Sequence, residues 1–318
     1  MAEIVAIGAD VGGTKIAAGL VSASTGAILF HRAIPTRPER PGEAVLHDAV
    51  RLVEELADEA RGRAVTVRGV GIGVPELVDL EGRIVTDAVV GWRHLPVAAA
   101  FSHIGPAIVE SDVRAAALAE ASLGAGRPFD PFAYVGVGTG ISFSLVSDRT
   151  PYAGSRGAAI LLGSGRLTVP CEACGADASV VLEEAAGGPG LVSDFRSLGG
   201  DAERAEDVLA AAAAGDSRAA GVIERAGRLV GMGIGLVVNL LDPAAVVVGG
   251  GLGSAGGDFW YALLDSAREH TWYEPARDTP ILQAAFGSDS GIVGAALAAL
   301  ASPDDRRSRT LRGAGRLR

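Results

Sequence analysis

Apolar residues run almost unbroken through "IVAIGADV" and again through "KIAAGLV", and between them stand Asp10, Gly12, Gly13, Thr14 and Lys15. This pattern predicts two buried strands joined by a turn of glycine and charge. "GAILFHRAIPT" reads as a third strand after a glycine turn. Val45, Leu46, Ala49, Leu52, Val53 and Leu56 then recur at helical spacing. "VTVRGVGIGVPELVD" returns to strand character and ends on Pro75. "AIVESDVRAAALAEASLGAG" predicts a short strand, an acid at Asp112 and an alanine-rich helix closed by Gly124.

"YVGVGTGISFSLV" (Tyr134 to Val146) repeats the opening layout of apolar strand, Gly/Thr knot and apolar strand. Two such hairpins about 130 residues apart predict a duplicated unit. A long helix is expected from about Ser217 to Leu241, then a buried strand in "DPAAVVVGGGLG" and a last apolar helix in "SGIVGAALAALA". The tail "DDRRSRTLRGAGRLR" holds six arginines among turn-formers and is expected to be a disordered basic segment, residues 302–318.

Composition narrows the function. The chain has 318 residues, enough for two domains, with 45 glycines and 5% aromatic residues, as suits an α/β protein whose backbone must come close to ligands or to other backbone. A net charge of −10 argues against nucleic acid as a partner. No basic leader precedes the first strand, and the longest apolar stretch, Leu229 to Leu241, has 13 residues, too few to span a bilayer. The two cysteines, Cys171 and Cys174, exclude a disulfide framework. A cytoplasmic protein without a membrane partner is the expectation.

Gly12 and Gly13 let backbone N–H groups turn inward as an anion nest, with the Thr14 hydroxyl and the Lys15 charge available to phosphate oxygens. Asp10 would repel that phosphate unless Mg²⁺ or its waters lay between. Taken alone the knot is equally a hairpin with a Gly-Gly turn and a solvated Asp/Lys pair. The second knot, Gly138, Thr139 and Gly140, favours phosphate gripped from two sides. No Walker A loop occurs. A G-x-G-x-x-G at Gly251, Gly253 and Gly256 lacks the strand-helix repeats that would make it a dinucleotide site.

"DVGGTK" (10–15), "GIGVPELVD" (71–79), "VGW" (90–92), "SDVRAAALAE" (111–120), "GTGI" (138–141), "NLLDPAAVVVGGGL" (239–252) and the final Gly/Ala helix, in this order, resemble the ROK family of sugar kinases and repressors across about residues 4 to 300. The resemblance implies an α/β chain of two actin-like (ribonuclease-H-like) domains with an interdomain cleft. Residues 1–112, joined by the C-terminal helix at about 289–301, would form the first domain and 113–288 the second. It also implies ATP with Mg²⁺ near Asp10, gripped by both knots, and adenosine near Gly249, Gly250 and Gly251. Members of the family are often dimers, so a homodimer is implied, although the residues themselves are silent on assembly. The family's repressors carry an N-terminal helix-turn-helix, whereas here the first strand begins at Ile4.

Asp112 sits where the family places its general base, and its position opening a helix also suits an N-terminal acid favouring the helix dipole. The sugar side departs from the family. Ser111 replaces an asparagine, and "GSRGAAILLGSG" (154–165) holds neither the glutamate nor the zinc-binding histidine usual there. Cys171 and Cys174 supply two ligands where a structural zinc wants four, so they are read as a reduced remnant with no zinc bound. Glu183 matches an acid that meets sugar hydroxyls, and Glu76, where the family commonly has glycine beside Pro75, is a candidate new contact. Substrate-binding expectations therefore fall on Pro75, Glu76, Ser111, Asp112 and Glu183. Acids at 76, 110 and 183 suit an amino sugar as well as a hexose. The expected activity is ATP-dependent phosphorylation of a hexose or amino-hexose, at the 6-hydroxyl. The competing reading is a non-catalytic sugar or nucleotide sensor of the same fold.

Overall fold

A computed structural model describes residues 4–170 and 174–301; the basic tail and Cys171 lie outside the described residues. The chain runs β1 (Val5–Val11), β2 (Lys15–Ser22), β3 (Ile28–Pro35), α1 (Gly42–Gly62), β4 (Val67–Val74), α2 (Val97–Ala100), β5 (Ala107–Ser111) and α3 (Asp112–Ser122). Next come β6 (Phe132–Val137), β7 (Ile141–Ser147), β8 (Thr150–Pro151), β9 (Arg166–Pro170) and β10 (Asp177–Val181). Helices α4 (Leu182–Ala186), α5 (Gly188–Ser197), α6 (Ala205–Ala213) and α7 (Ser217–Leu241) follow, then β11 (Val246–Gly249), α8 (Gly257–His270), β12 (Ile281–Gln283) and α9 (Ser290–Leu300).

Contacts divide the chain into two units. One takes the chain up to Asp130, Ser144–Ile160 and the chain from Ser288 on; the other takes Pro131–Phe143 and Leu161–Gly287. In the first, the sheet order is β3-β2-β1-β4-β5, with the first hairpins antiparallel and β4 and β5 parallel to β1. The β1 run is apolar but for Asp10 because both faces are covered. Val5, Ile7, Ala9 and Val11 pack with Val45, Ala49, Leu52 and Leu56 of α1. The opposite face carries Gly8, which pairs with Gly19 on one side and Gly71 on the other.

That glycine row is the seat of α9. A Cβ on Gly8 would land on the Ile292 carbonyl oxygen, and one on Gly71 on the Ala295 carbonyl oxygen. Gly294 is held equally close to Ala115 of α3. By this packing α3 belongs with the first unit, and Asp112 lies inside that unit.

In the second unit β11 runs parallel to both β6 and β12, and β7 lies on the other side of β6. The far end of β7 continues into the first unit's residues and pairs with β8, giving the order β12-β11-β6-β7-β8. Read from the other edge this is the order of the first sheet, strand for strand, so the repeated hairpin marks a repeated topology. Helix α7 offers Gly227, Gly231 and Gly235, four residues apart, to the backbone of α8. Among the described residues no helix is long and apolar enough to cross a membrane.

Candidate active site

The first knot is the turn from β1 to β2. The Gly12 amide donates to the Lys15 carbonyl at 2.9 Å. Thr36, fully buried just past β3, braces the turn from outside: its hydroxyl donates to the Gly12 carbonyl at 2.6 Å and its amide to the Thr14 carbonyl at 3.1 Å. The Thr14 and Lys15 side chains are exposed. Spacing in the sequence gives no sign of Thr36, since a single threonine 24 residues away contacts the turn only through the fold.

Two acids stand together near this turn. The strand register aligns Asp10 of β1, Gly73 of β4 and Glu110 of β5, and Asp112 opens α3 two residues later. A Cβ on Gly73 would sit 3.5 Å from Asp10 Oδ1 and 3.6 Å from Asp112 Cα, so no side chain separates the two acids. Burial pushes the Asp10 carboxyl up to about 6, with Lys15 opposing and Asp289 adding to the rise. Burial also pushes Asp112 up to about 7, reinforced by the Asp10 charge and opposed by the hydrogen bond from the Val113 amide and by Arg114. Val113 donates to Asp112 Oδ1 at 2.6 Å. Asp289 escapes the sequence reading because α9 alone carries it to Asp10.

Arg114 is the second residue that sequence reasoning misses. It is 3% exposed. Its Nε and Nη2 reach Glu110 Oε1 at 2.7 and 2.6 Å, and its other bonds go to the Gly157 carbonyl at 2.7 Å and the Val78 carbonyl at 2.8 Å. It thus joins β5, the 76–79 turn and the 154–160 loop around the first turn of α3. Removing it leaves Glu110 without its cation and two carbonyls without a donor. Arg114→Ala is expected to cost about 3 kcal/mol in urea unfolding.

The second knot is fixed by its own unit. Gly138 donates to the Gly140 carbonyl at 3.0 Å, and the Gly188 amide, opening α5, donates to the Gly138 carbonyl at 2.8 Å. Glu183 accepts from the Ile141 amide at 2.7 Å. Beside this knot β11 ends at Gly249 and turns through Gly250, whose φ of +84° only glycine adopts readily. The amides of Leu252 and Gly253 both donate to the Val137 carbonyl at 3.0 Å. Beyond them the ground is open: a Cβ on Gly251 would meet nothing within 4 Å, and one on Gly138 only the Gly251 amide at 3.9 Å.

The structure thus groups Asp10, Gly12, Gly13, Thr14, Lys15 and Asp112 in one unit and Gly138–Gly140 with Gly249–Gly251 in the other. The sugar-side expectations fare differently. Pro75 is half-buried and Ser111 fully buried, its hydroxyl turned inside. Glu76 is fully buried and its carboxylate is taken up by a loop of its own unit. Glu183 spends one oxygen on the second knot. Glu110 is paired with Arg114. Cys174 is exposed in the turn between β9 and β10. Among the described residues no group of three or more His, Cys, Asp or Glu could cage a metal.

Residues 6–302 match the ROK family over nearly the whole chain. The chain belongs to the ROK family. Its relatives there include the glucokinase of Streptomyces coelicolor, 29% identical over 320 residues with 91% of this chain and 96% of that protein covered. An N-acetylmannosamine kinase of Escherichia coli O1:K1 is 30% identical over 294 residues, at the same coverage. Among solved structures, the Streptomyces griseus ROK family glucokinase in complex with glucose and AMPPNP superposes with a TM-score of 0.80 at 27% identity, covering 93% of this chain and 99% of that one. The ROK fold is the actin-like two-domain fold, and the two matching sheets described above are its signature in this chain.

Proposed function

We propose that this chain is an ATP-dependent sugar kinase that moves the γ-phosphoryl group of ATP to the 6-hydroxyl of a hexose, with Asp112 as general base. The observation that carries the reading is Asp112 itself: a carboxyl raised to about 7 beside Asp10, at the mouth of a helix, in a chain whose relatives include glucokinases and an N-acetylmannosamine kinase. A base with a pKa near the working pH is deprotonated often enough to act and basic enough to accept a proton.

The residues present fit a nucleotide. In one unit the ground beside Gly138 and Gly251 is open, a Cβ on Gly251 meeting nothing within 4 Å, and in the other the Gly12–Lys15 turn carries the exposed Thr14 and Lys15 side chains. Asp10 supplies the hard oxygen that suits Mg²⁺, an ion that keeps most of its ligands as water and phosphate. When bound, ATP with Mg²⁺ supplies the transferable phosphoryl group and the counter-charge it needs. Asp112 holds Oδ1 on the Val113 amide and takes the proton of the attacking hydroxyl on Oδ2. Lys15 and the Gly13 amide stabilise charge on phosphoryl oxygens.

Two of the three acids that would draw an ammonium group are engaged, and the third, Glu183, has one oxygen on an amide. Glu110 faces Arg114, Glu76 is enclosed by its loop, and Glu183 holds the Ile141 amide. This favours a neutral hexose over an amino-hexose as acceptor. A panel of hexoses, amino hexoses, N-acetylated sugars and polyols, assayed with Mg-ATP by ADP release and with product phosphorus spectra, tests the reading. A neutral hexose is expected to give the largest kcat/KM and a 6-phosphate product. Nucleotide binding with no acceptor-dependent ADP release would instead favour the sensor reading.

A further inference from the structure

Glu76 follows Pro75 at the end of β4 and is fully buried. Its carboxylate accepts four hydrogen bonds, all from one loop. Oε2 takes the Thr86 hydroxyl at 2.5 Å and the Ala88 amide at 2.8 Å; Oε1 takes the Val89 amide at 2.6 Å and the Val90 amide at 2.8 Å. The Leu77 amide donates to the Thr86 oxygen at 3.0 Å, which orients that hydroxyl to donate onward to Glu76. Three consecutive amides closing on one carboxylate form an anion nest filled by the protein's own side chain.

The loop is tied again at its far end. Trp92, fully buried, donates its indole N–H to the Gly42 carbonyl at 2.8 Å, and Gly91 lies against Gly42 where a Cβ would otherwise stand. Between the two ties stands Val89, 37% exposed. Its Cγ1 lies 3.1 Å from where a Cβ on Gly13 would be, so it rests against the first knot at Gly13.

We propose that Glu76 is a positioning residue for the Gly12–Lys15 turn, acting through the 86–90 loop and Val89. The proposal rests on reading that turn as the phosphate nest of the kinase, but its structural half stands apart from activity. A glycine at 76 would have no side chain to gather these four donors, so the brace depends on the glutamate. Glu76→Gln keeps shape and replaces one acceptor oxygen by an NH₂ group, which sets a donor against the Val89 and Val90 amides or, turned over, against the Ala88 amide while the Thr86 hydroxyl turns to accept, so at least one of the four bonds is lost and the charge that gathers all of them is removed.

Hydrogen–deuterium exchange on the full chain, as wild type, Glu76→Gln and Val89→Ala, separates the links. In Glu76→Gln, exchange at Ala88–Val90 is expected to rise at least tenfold, and at the Gly12 amide several-fold. In Val89→Ala, the 88–90 amides are expected to keep their protection while Gly12 again exchanges several-fold faster. Calorimetric binding of Mg-AMPPNP is expected to weaken about tenfold in both variants. Unchanged Gly12 exchange in both would overturn the proposal and leave Glu76 a loop staple. If Glu76→Gln fails to fold by circular dichroism, Val89→Ala decides alone. Wild type that binds no Mg-AMPPNP would sink the nucleotide assignment, while the exchange data would still decide the brace.

Discussion

Asp112→Asn is expected to lower kcat by about 10³-fold or more, the upper part of the range for loss of a general base, and at the same time to make the protein more stable at pH 8. The stability effect follows from the raised carboxyl. At pH 3 Asp112 is protonated in both the folded and unfolded chain and costs nothing. As pH rises, the unfolded chain gives up its proton at the ordinary aspartate value, but the folded chain keeps it until about 7. Stability therefore falls across that interval and the loss is complete above it. Asparagine removes the penalty. The gain is on the order of 2 kcal/mol at pH 8, about half of what the full shift would give, since the group is not wholly shielded from water. Thermal unfolding at pH 4 and pH 8 checks it: the variant should match wild type at the lower pH and melt higher at the upper one. Equal stability at pH 8, or turnover kept within tenfold, would remove Asp112 from its assigned role. Nucleotide affinity is expected to change by less than threefold, because the turns that would hold ATP do not depend on Asp112.

Gly71→Ala is expected to be among the most destabilising single-methyl changes in the chain. The added Cβ would fall on the Ala295 carbonyl, and that stretch of α9 cannot retreat freely. Gly8 holds the same helix one turn earlier at Ile292, and Gly294 holds it against Ala115 of α3. Backbone must move on backbone, so the cost is about 3 kcal/mol or more, at the upper end of overpacking penalties. Urea unfolding should show a lower midpoint at unchanged slope. Gly62→Ala is the matched control: it lies in the last turn of α1 with nothing within 4 Å of the new Cβ, and should be neutral or slightly stabilising. A Gly71→Ala cost below 1 kcal/mol would mean that α9 is not seated on the Gly19-Gly8-Gly71 row.

Much of the first sheet was legible in the sequence because local pattern and tertiary role coincide there. The β1 run is apolar but for Asp10 since helices cover both faces, and α1 and α7 carry apolar residues at helical spacing on the faces they bury; α7 spans Ser217–Leu241 as the pattern predicts. The two Gly/Thr knots were visible for the same reason: glycine in a turn is written at the place where it acts. The glycine row under α9 was not, because Gly8, Gly19 and Gly71 are neighbours only across strands. The acids show the limit most clearly. Asp112 could be placed from its own motif, whereas Glu76, Glu110 and Glu183 looked like free carboxylates until their partners at Val89, Arg114 and Ile141 were in view. Ser111 stands beside Asp112 in the sequence, but strand alternation, which puts it on the buried face of β5 with Val109, showed only in the fold.

The most direct measurement is the pH dependence of kcat/KM for sugar-dependent ADP release, with Mg²⁺ in excess and the best acceptor from the panel. Kinase chemistry run through Asp112 predicts a rate that climbs with pH through a single ionisation near 7 and levels off by about pH 8, because kcat/KM follows the free enzyme's essential base. A sugar-dependent rate that stayed flat from about pH 5.5 to 8.5 would contradict it.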